Sequence, residues 1–98
     1  MMAIEAVLDD IARHLDLGPL VVRRINFYGI GERNVTPYHM QVEDNLVHRI
    51  VDELVASSGY TSRRTAIAKF NAHNPIIKRG IALTPVKFGI SFTATQYN

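Results

Sequence analysis

The sequence of 98 residues contains neither cysteine nor tryptophan. Without thiols the chain has no disulfide scaffold and no cysteine-ligated zinc or iron–sulfur site, which fits an intracellular, cytoplasmic protein. It also lacks any apolar run near the ~18 residues that a transmembrane helix needs, so we expect no membrane partner. The N-terminal residues include Glu5, Asp9 and Asp10 in place of the basic region of a signal peptide.

Acidic residues are absent from the second half of the chain. Residues 1–53 hold five basic residues and all nine acids, a net −4, whereas residues 54–98 hold six basic residues and no acid, a net +6. A basic half of this kind can bind nucleic acid or phosphates, or it can face an acidic neighbour. Aromatic stacking residues are not interleaved with these bases, so we expect no nucleic-acid partner.

Hydrophobic residues make up 47% of the chain, enough for the core of one small domain. Apolar residues three and four apart predict about four helices, over residues 3–15, 19–27, 44–57 and 62–72. The expected inward stripes of the first and third helices are Ile4, Val7, Leu8, Ile11 and Leu15, and Leu46, Val47, Ile50, Val51 and Leu54. From residue 76 the apolar period becomes two, which predicts one or two β-strands over residues 76–84 and 86–95. The predicted fold class is therefore α+β.

Turn and capping residues set the expected ends of these helices. Asp16-Leu17-Gly18-Pro19 stops the first helix, and Ser57-Ser58-Gly59 stops the third. Asp44 or Asn45 is the expected N-cap of the third helix, and Thr61 or Ser62 that of the fourth.

The predicted strands have no partner of their own in this sequence. Two strands alone form a marginal sheet, and the apolar edge from Val86 to Phe92 is open to pairing with another chain. We therefore expect self-association through this edge, as a dimer or higher oligomer.

Most residues of chemical interest have an ordinary structural explanation. The four histidines, His14, His39, His48 and His73, have no metal-ligand spacing, so we expect no metal site. Gly29-Ile30-Gly31 follows a predicted helix and is expected to be a turn rather than a phosphate cradle. Arg23-Arg24 and Arg63-Arg64 are expected to be surface charges.

Arg79 is the best candidate for a functional residue. It lies where a loop enters the first predicted strand, beside Gly80. A fixed guanidinium at this place orients a planar ligand through several donors or stabilises developing negative charge. The alternative is an ordinary arginine–carboxylate pair.

Several stretches of the chain are shared with a known family. They are AIEAVLDDIA at 3–12, PLVVRRINFYG at 19–29, ERNVTPY at 32–38, FNAHNP at 70–75 and, most specific of all, KRGIALTPVKFGISF at 78–92. In these motifs the chain resembles the molybdenum-binding subunit of the xanthine dehydrogenases, in the xanthine oxidase family of molybdenum hydroxylases. The resemblance runs through essentially all 98 residues in order.

The resemblance implies a function for the longer protein. Such enzymes hydroxylate hypoxanthine and xanthine at a molybdenum–molybdopterin centre in purine catabolism, and electrons leave through iron–sulfur clusters and FAD to NAD. Arg79 matches the family arginine that orients the purine substrate and stabilises negative charge on its ring. Aldehyde oxidases, which are similar, usually lack that arginine, so Arg79 and residues 87–91 favour the xanthine branch.

The resemblance also implies what these residues do not supply. The family's catalytic glutamate and its glycine-rich cofactor contacts lie outside the matching interval. We therefore expect residues 1–98 to be a single segment of a larger molybdopterin-binding domain, inactive alone, with no bound cofactor and with Arg79 as its only site residue. Its expected partners are the remainder of the enzyme, including the small iron–sulfur/FAD subunit. The alternative is a small stand-alone module whose basic C-terminal half binds a polyanion or an acidic protein.

Overall fold

The computed structural model describes residues 1–87. These residues form four helices, α1 (Met2–His14), α2 (Pro19–Ile25), α3 (Val47–Ser58) and α4 (Tyr60–His73). α1 packs against α2, and α3 packs against α4. The four predicted helices are therefore confirmed, with ends that differ from the predicted ones by at most three residues.

The end of α1 follows the predicted stop signal. Asp16 has a left-handed backbone, with φ +54°, and its N–H donates to the Arg13 carbonyl oxygen at 3.2 Å. The Leu17 N–H donates to the Ala12 carbonyl oxygen at 2.8 Å. These two bonds form a Schellman motif, which satisfies the last carbonyls of the helix. Pro19 then occupies the first turn of α2, where its missing N–H costs nothing.

The predicted caps of α3 and α4 are wrong. α3 begins after Leu46 and has no side-chain cap, although Asn45 Oδ1 accepts from the Val47 N–H at 3.3 Å. α4 begins at Tyr60 because Gly59, with φ +63°, ends α3 and opens α4 at the same residue. The left-handed glycine joins the two helices without a loop, so Thr61 and Ser62 already lie inside α4.

The predicted strand over residues 76–84 is not formed. These residues have no regular secondary structure, and no backbone–backbone hydrogen bond within residues 1–87 reaches them. Their apolar alternation has a different cause, because Ile81 and Leu83 pack onto helices instead of a sheet. Of the predicted strand over residues 86–95, Val86 and Lys87 also lack regular structure, and the remainder lies outside the described residues.

The core is small and lies between α2, α3, the start of α4 and the C-terminal described segment. Leu20, Val51, Tyr60 and Leu83 are buried in one cluster. Around it pack four partly buried residues, Phe27, Val47, Val55 and Ile81. The core includes only some residues of the predicted apolar stripes. In α3, for example, Val51 is 2% exposed whereas Ile50 is 58% exposed.

The predicted inward stripe of α1 is largely exposed. Ile4, Val7, Ile11 and Leu15 keep two-fifths or more of their surface in solvent, and Ala12 is the buried residue of this helix. Ion pairs also join α1 to α2. Arg23, expected at the surface, is 5% exposed, and its Nε donates to Glu5 Oε2 at 2.8 Å.

Candidate functional site

Arg79 lies in the irregular segment that follows α4, and its side chain is exposed. Its backbone is nevertheless fixed to the last turn of that helix. The Arg79 N–H donates to Asn71 Oδ1 at 2.8 Å, and Asn71 Nδ2 donates back to the Arg79 carbonyl oxygen at 3.0 Å. One side-chain amide therefore pairs with both polar groups of a residue eight positions later, as a neighbouring strand would.

The Arg79 guanidinium lies over the ring of Phe70. Its Cζ is 3.9 Å from the ring centroid, which is well within the range of a cation–π contact. Phe70 is half-buried. One face of its ring supports the candidate arginine.

The end of α4 next to Arg79 is closed by side chains. His73 Nδ1 is 2.8 Å from the Lys69 carbonyl oxygen, Asn74 Nδ2 donates to the Phe70 carbonyl oxygen at 2.7 Å, and Lys78 Nζ donates to the Asn71 carbonyl oxygen at 2.6 Å. Phe70 and Asn71 are among the last four residues of α4, whose carbonyls lack an intrahelical partner, so the side chains of Asn74 and Lys78 supply what the helix end lacks. Positive charge here is also favoured by the negative end of the helix dipole.

The guanidinium of Arg79 forms no ion pair within residues 1–87. The ion pairs in this part of the chain use Arg13, Arg23, Arg24 and Arg49, all in the acidic first half. No hydrogen bond joins the Arg79 side chain to another described residue. Arg79 therefore forms no arginine–carboxylate pair, the alternative considered above, within the described part of the chain. Its guanidinium N–H donors face outward.

Other basic residues of the second half also lie against aromatic rings. Lys87 Nζ is 4.1 Å from the Tyr28 ring centroid, and Arg64 Cζ is 5.9 Å from that of Tyr60. The rings beneath Lys87 and Arg64 are therefore different from the Phe70 ring beneath Arg79. Two surface depressions lie near α2 and Arg64, and Arg79 lines neither of them.

Two of the four histidines contact backbone carbonyl oxygens. His48 Nε2 is 2.9 Å from the Tyr28 carbonyl oxygen, and His73 contacts Lys69 as described above. Residues 1–87 contain no group of three His, Cys, Asp or Glu side chains suited to a metal ion. The Gly29–Gly31 segment is a turn, as predicted, in which the Gly29 N–H donates to the Arg33 carbonyl oxygen at 3.0 Å.

None of the described helices is both long and apolar enough to cross a membrane.

Sequence reasoning singled out Arg79 as a candidate but did not indicate that Phe70 and Asn71 contact it. The only available signal was their place in the FNAHNP stretch, at the predicted end of a helix and close before Lys78 and Arg79.

Comparison with known proteins identifies the origin of these motifs. The chain is 39% identical over all 98 residues to the xanthine dehydrogenase of Dictyostelium discoideum, and 40% identical over 98 residues to that of Drosophila pseudoobscura pseudoobscura. It is also 40% identical over 98 residues to the xanthine dehydrogenase/oxidase of Gallus gallus. The chain is homologous to a segment of the xanthine dehydrogenases.

These matches cover the whole of this chain but only 7% of the length of each relative. The xanthine dehydrogenase relationship is thus established for a segment, at the level of the family. No established family profile matches the chain, and no solved structure matches it.

Proposed function

We propose that the chain is the segment of a xanthine dehydrogenase that supplies Arg79 to the purine-binding pocket of the molybdenum-binding domain. The observation that carries this proposal is the placement of Arg79, which is fixed through its backbone but has outward-facing guanidinium donors. Similarity over all 98 residues of this chain to a segment of the xanthine dehydrogenases supports the proposal.

Arg79 acts on the substrate through its planar set of N–H donors. A guanidinium donates hydrogen bonds to the ring nitrogens and carbonyl oxygens of a planar heterocycle and so fixes its orientation. When negative charge develops on that ring, the same donors stabilise it, and donors that are already in place do so without reorganisation. Xanthine and hypoxanthine are the proposed substrates of the whole protein.

The described residues do not fit a molybdopterin site. They offer neither a group of metal ligands nor a free glycine-rich cradle, since the 29–31 turn is closed on itself. Molybdenum–molybdopterin would supply the hydroxylation chemistry, and we assign its binding to other parts of the protein. The remainder of the enzyme, with the iron–sulfur/FAD subunit, is the proposed partner.

A graft tests the role of Arg79. The matching segment of the Dictyostelium discoideum enzyme is replaced by this chain, and xanthine turnover is measured with Arg79 or with Arg79→Met. We expect Arg79→Met to lower kcat/KM by about 10²–10³-fold, the usual loss of one charge-stabilising donor set. Arg63→Met is the control, because Arg63 is an exposed arginine on α4, and it should leave turnover within about twofold.

Two outcomes contradict the proposal. If the Arg79→Met graft is as active as the unsubstituted graft, Arg79 does not have the assigned role. If the unsubstituted graft is inactive, this chain is not equivalent to the segment that it replaces. We also expect the 98-residue chain alone to show no xanthine-dependent electron transfer, and detection of such transfer would be equally decisive.

A binding module is the second candidate. All six basic residues of the second half lie within residues 1–87, and none of them forms an ion pair with a carboxylate in that part of the chain. Such a module binds a polyanion with a steep salt dependence. Heparin binding that falls steeply between 50 and 200 mM salt would favour this candidate, and retention that is weak at all salt concentrations would exclude it.

A further inference from the structure

The contacts of Arg79 with α4 point to a second pair of functional residues. Asn71 and Phe70 are consecutive residues in the last turn of α4, and each holds a different part of Arg79. Asn71 bonds to both backbone polar groups, whereas Phe70 lies beneath the guanidinium. The two contacts together restrict where the charge of an otherwise exposed side chain can lie.

We propose that Phe70 and Asn71 are positioning residues for Arg79, which set the place and orientation of the guanidinium that meets the purine. This inference rests on the proposed function and assigns a role to two residues of the FNAHNP stretch for which the resemblance implies none. Phe70 and Asn71 act through Arg79 and do not touch the substrate themselves.

The physical reason is the cost of ordering a long side chain. An arginine on an irregular segment samples many rotamers, and a ligand must restrict them when it binds. The Phe70 ring removes many of these rotamers beforehand by stacking on the guanidinium. Hydrogen-bond donors that are already in position stabilise developing charge better than donors that must first be ordered. Small displacements of catalytic groups also lower reaction rates strongly.

The supporting helix end is itself well anchored, so it can transmit this restraint. Asn74 and Lys78 bond to the carbonyl oxygens of Phe70 and Asn71 respectively. Both positioning residues are thus held by their own backbone on one side and contact Arg79 on the other. Gly80 adds no steric constraint, because a Cβ at that position meets nothing within 4 Å.

Nuclear magnetic resonance on the 98-residue chain tests the positioning contacts without any need for catalysis. We expect the Arg79 amide to exchange about fivefold faster in Asn71→Ala, the factor for loss of one ordinary hydrogen bond. The side-chain protons of Arg79 should shift downfield in Phe70→Leu, because they lose the ring current. Asn26→Ala is the matched control, since Asn26 Nδ2 donates to a backbone carbonyl at the end of α2, far from Arg79 in sequence.

A double-mutant cycle in the graft tests the consequence for turnover. We expect Asn71→Ala to lower kcat/KM for xanthine by about tenfold when Arg79 is present, and to have no further effect when Arg79 is already methionine. Asn26→Ala should be neutral in both backgrounds. A purely structural role of Asn71 would lower turnover equally with and without Arg79, and that result would overturn the inference.

The two experiments separate the inference from the function on which it rests. Unchanged exchange and unchanged chemical shifts of Arg79 in both variants overturn the positioning contacts, whatever the graft does. An effect of Asn71→Ala on the resonances, together with no effect of Arg79→Met on turnover, overturns the proposed function and leaves the contacts in place.

Discussion

At the scale of single residues, adjacent arginines with the same sequence signature have different environments. Arg23 is buried between α1 and α2, within 3.0 Å of Asp9 and in contact with Glu5, whereas Arg24 is about one-third exposed and pairs with Asp52 of α3. Burial acts to lower the pKa of Arg23, but hydrogen bonds and the charges of the two acids outweigh it, so its pKa is raised above the ordinary value. Arg23 therefore stays charged throughout the range in which the protein is handled.

Replacement of Arg23 by methionine should destabilise the chain by about 1–3 kcal/mol. The variant leaves Glu5 and Asp9 facing each other without their shared cation, and removing one partner of a buried pair is costly. The measurement is urea unfolding followed by circular dichroism at 222 nm. Arg13→Met is the control, because Arg13 pairs with Asp10 on the surface and its loss should cost less than about 0.5 kcal/mol.

Equal midpoints for the two arginine variants would contradict the assigned importance of Arg23. The sequence alone does not distinguish these arginines, since burial depends on the angle at which α2 meets α1. The same limit applies at the candidate site. Arg79 could be identified from its motif, whereas its contacts with Phe70 and Asn71 depend on how the segment after α4 folds back.

At the scale of elements, the helices were predictable and the predicted strand over residues 76–84 was not. A helix satisfies its own backbone, so apolar spacing and stop residues suffice to locate it. A strand needs a partner, and the period of two over residues 76–84 reflects only that Ile81 and Leu83 face the helices. The starts of α3 and α4 differed because backbone geometry at Leu46 and Gly59 replaces the expected side-chain caps.

The two faces of α3 should respond differently to the same truncation. Val51 is 2% exposed in the core cluster, and Val51→Ala should lower the free energy of unfolding by about 1.5–2.5 kcal/mol through lost burial and a new cavity. Ile50 is 58% exposed, so Ile50→Ala should change stability by less than about 0.5 kcal/mol. Thermal unfolding of both variants would contradict the described core if Ile50→Ala proved the more harmful change.

At the scale of the whole molecule, much apolar surface lies outside the core. The radius of gyration is 17.1 Å, against about 13 Å for a compact domain of this size. The exposed faces include Ile4, Val7 and Ile11 of α1 and Ile50 and Leu54 of α3. The sequence indicates that these helices are amphipathic, but it does not say which protein surface covers them.

We expect the chain alone to self-associate at high concentration. The sequence predicts pairing through Val86–Phe92, a prediction that lies mostly outside the described residues, and the apolar face of α1 offers a second surface. Sedimentation of Val86→Gln and of the double variant Ile4→Gln, Ile11→Gln separates these surfaces, because only the surface that mediates association yields monomers when it is altered. An unsubstituted chain that stays monomeric at high concentration would contradict both.

The shared glycine between α3 and α4 has a consequence for how the sequence can vary. Gly59 is the only residue between α3 and α4, so no loop is present there to absorb an insertion. One inserted residue would turn α4 by about 100° about its axis and carry Tyr60 away from Val51. Homologues should therefore keep the spacing from Val51 to Tyr60 constant.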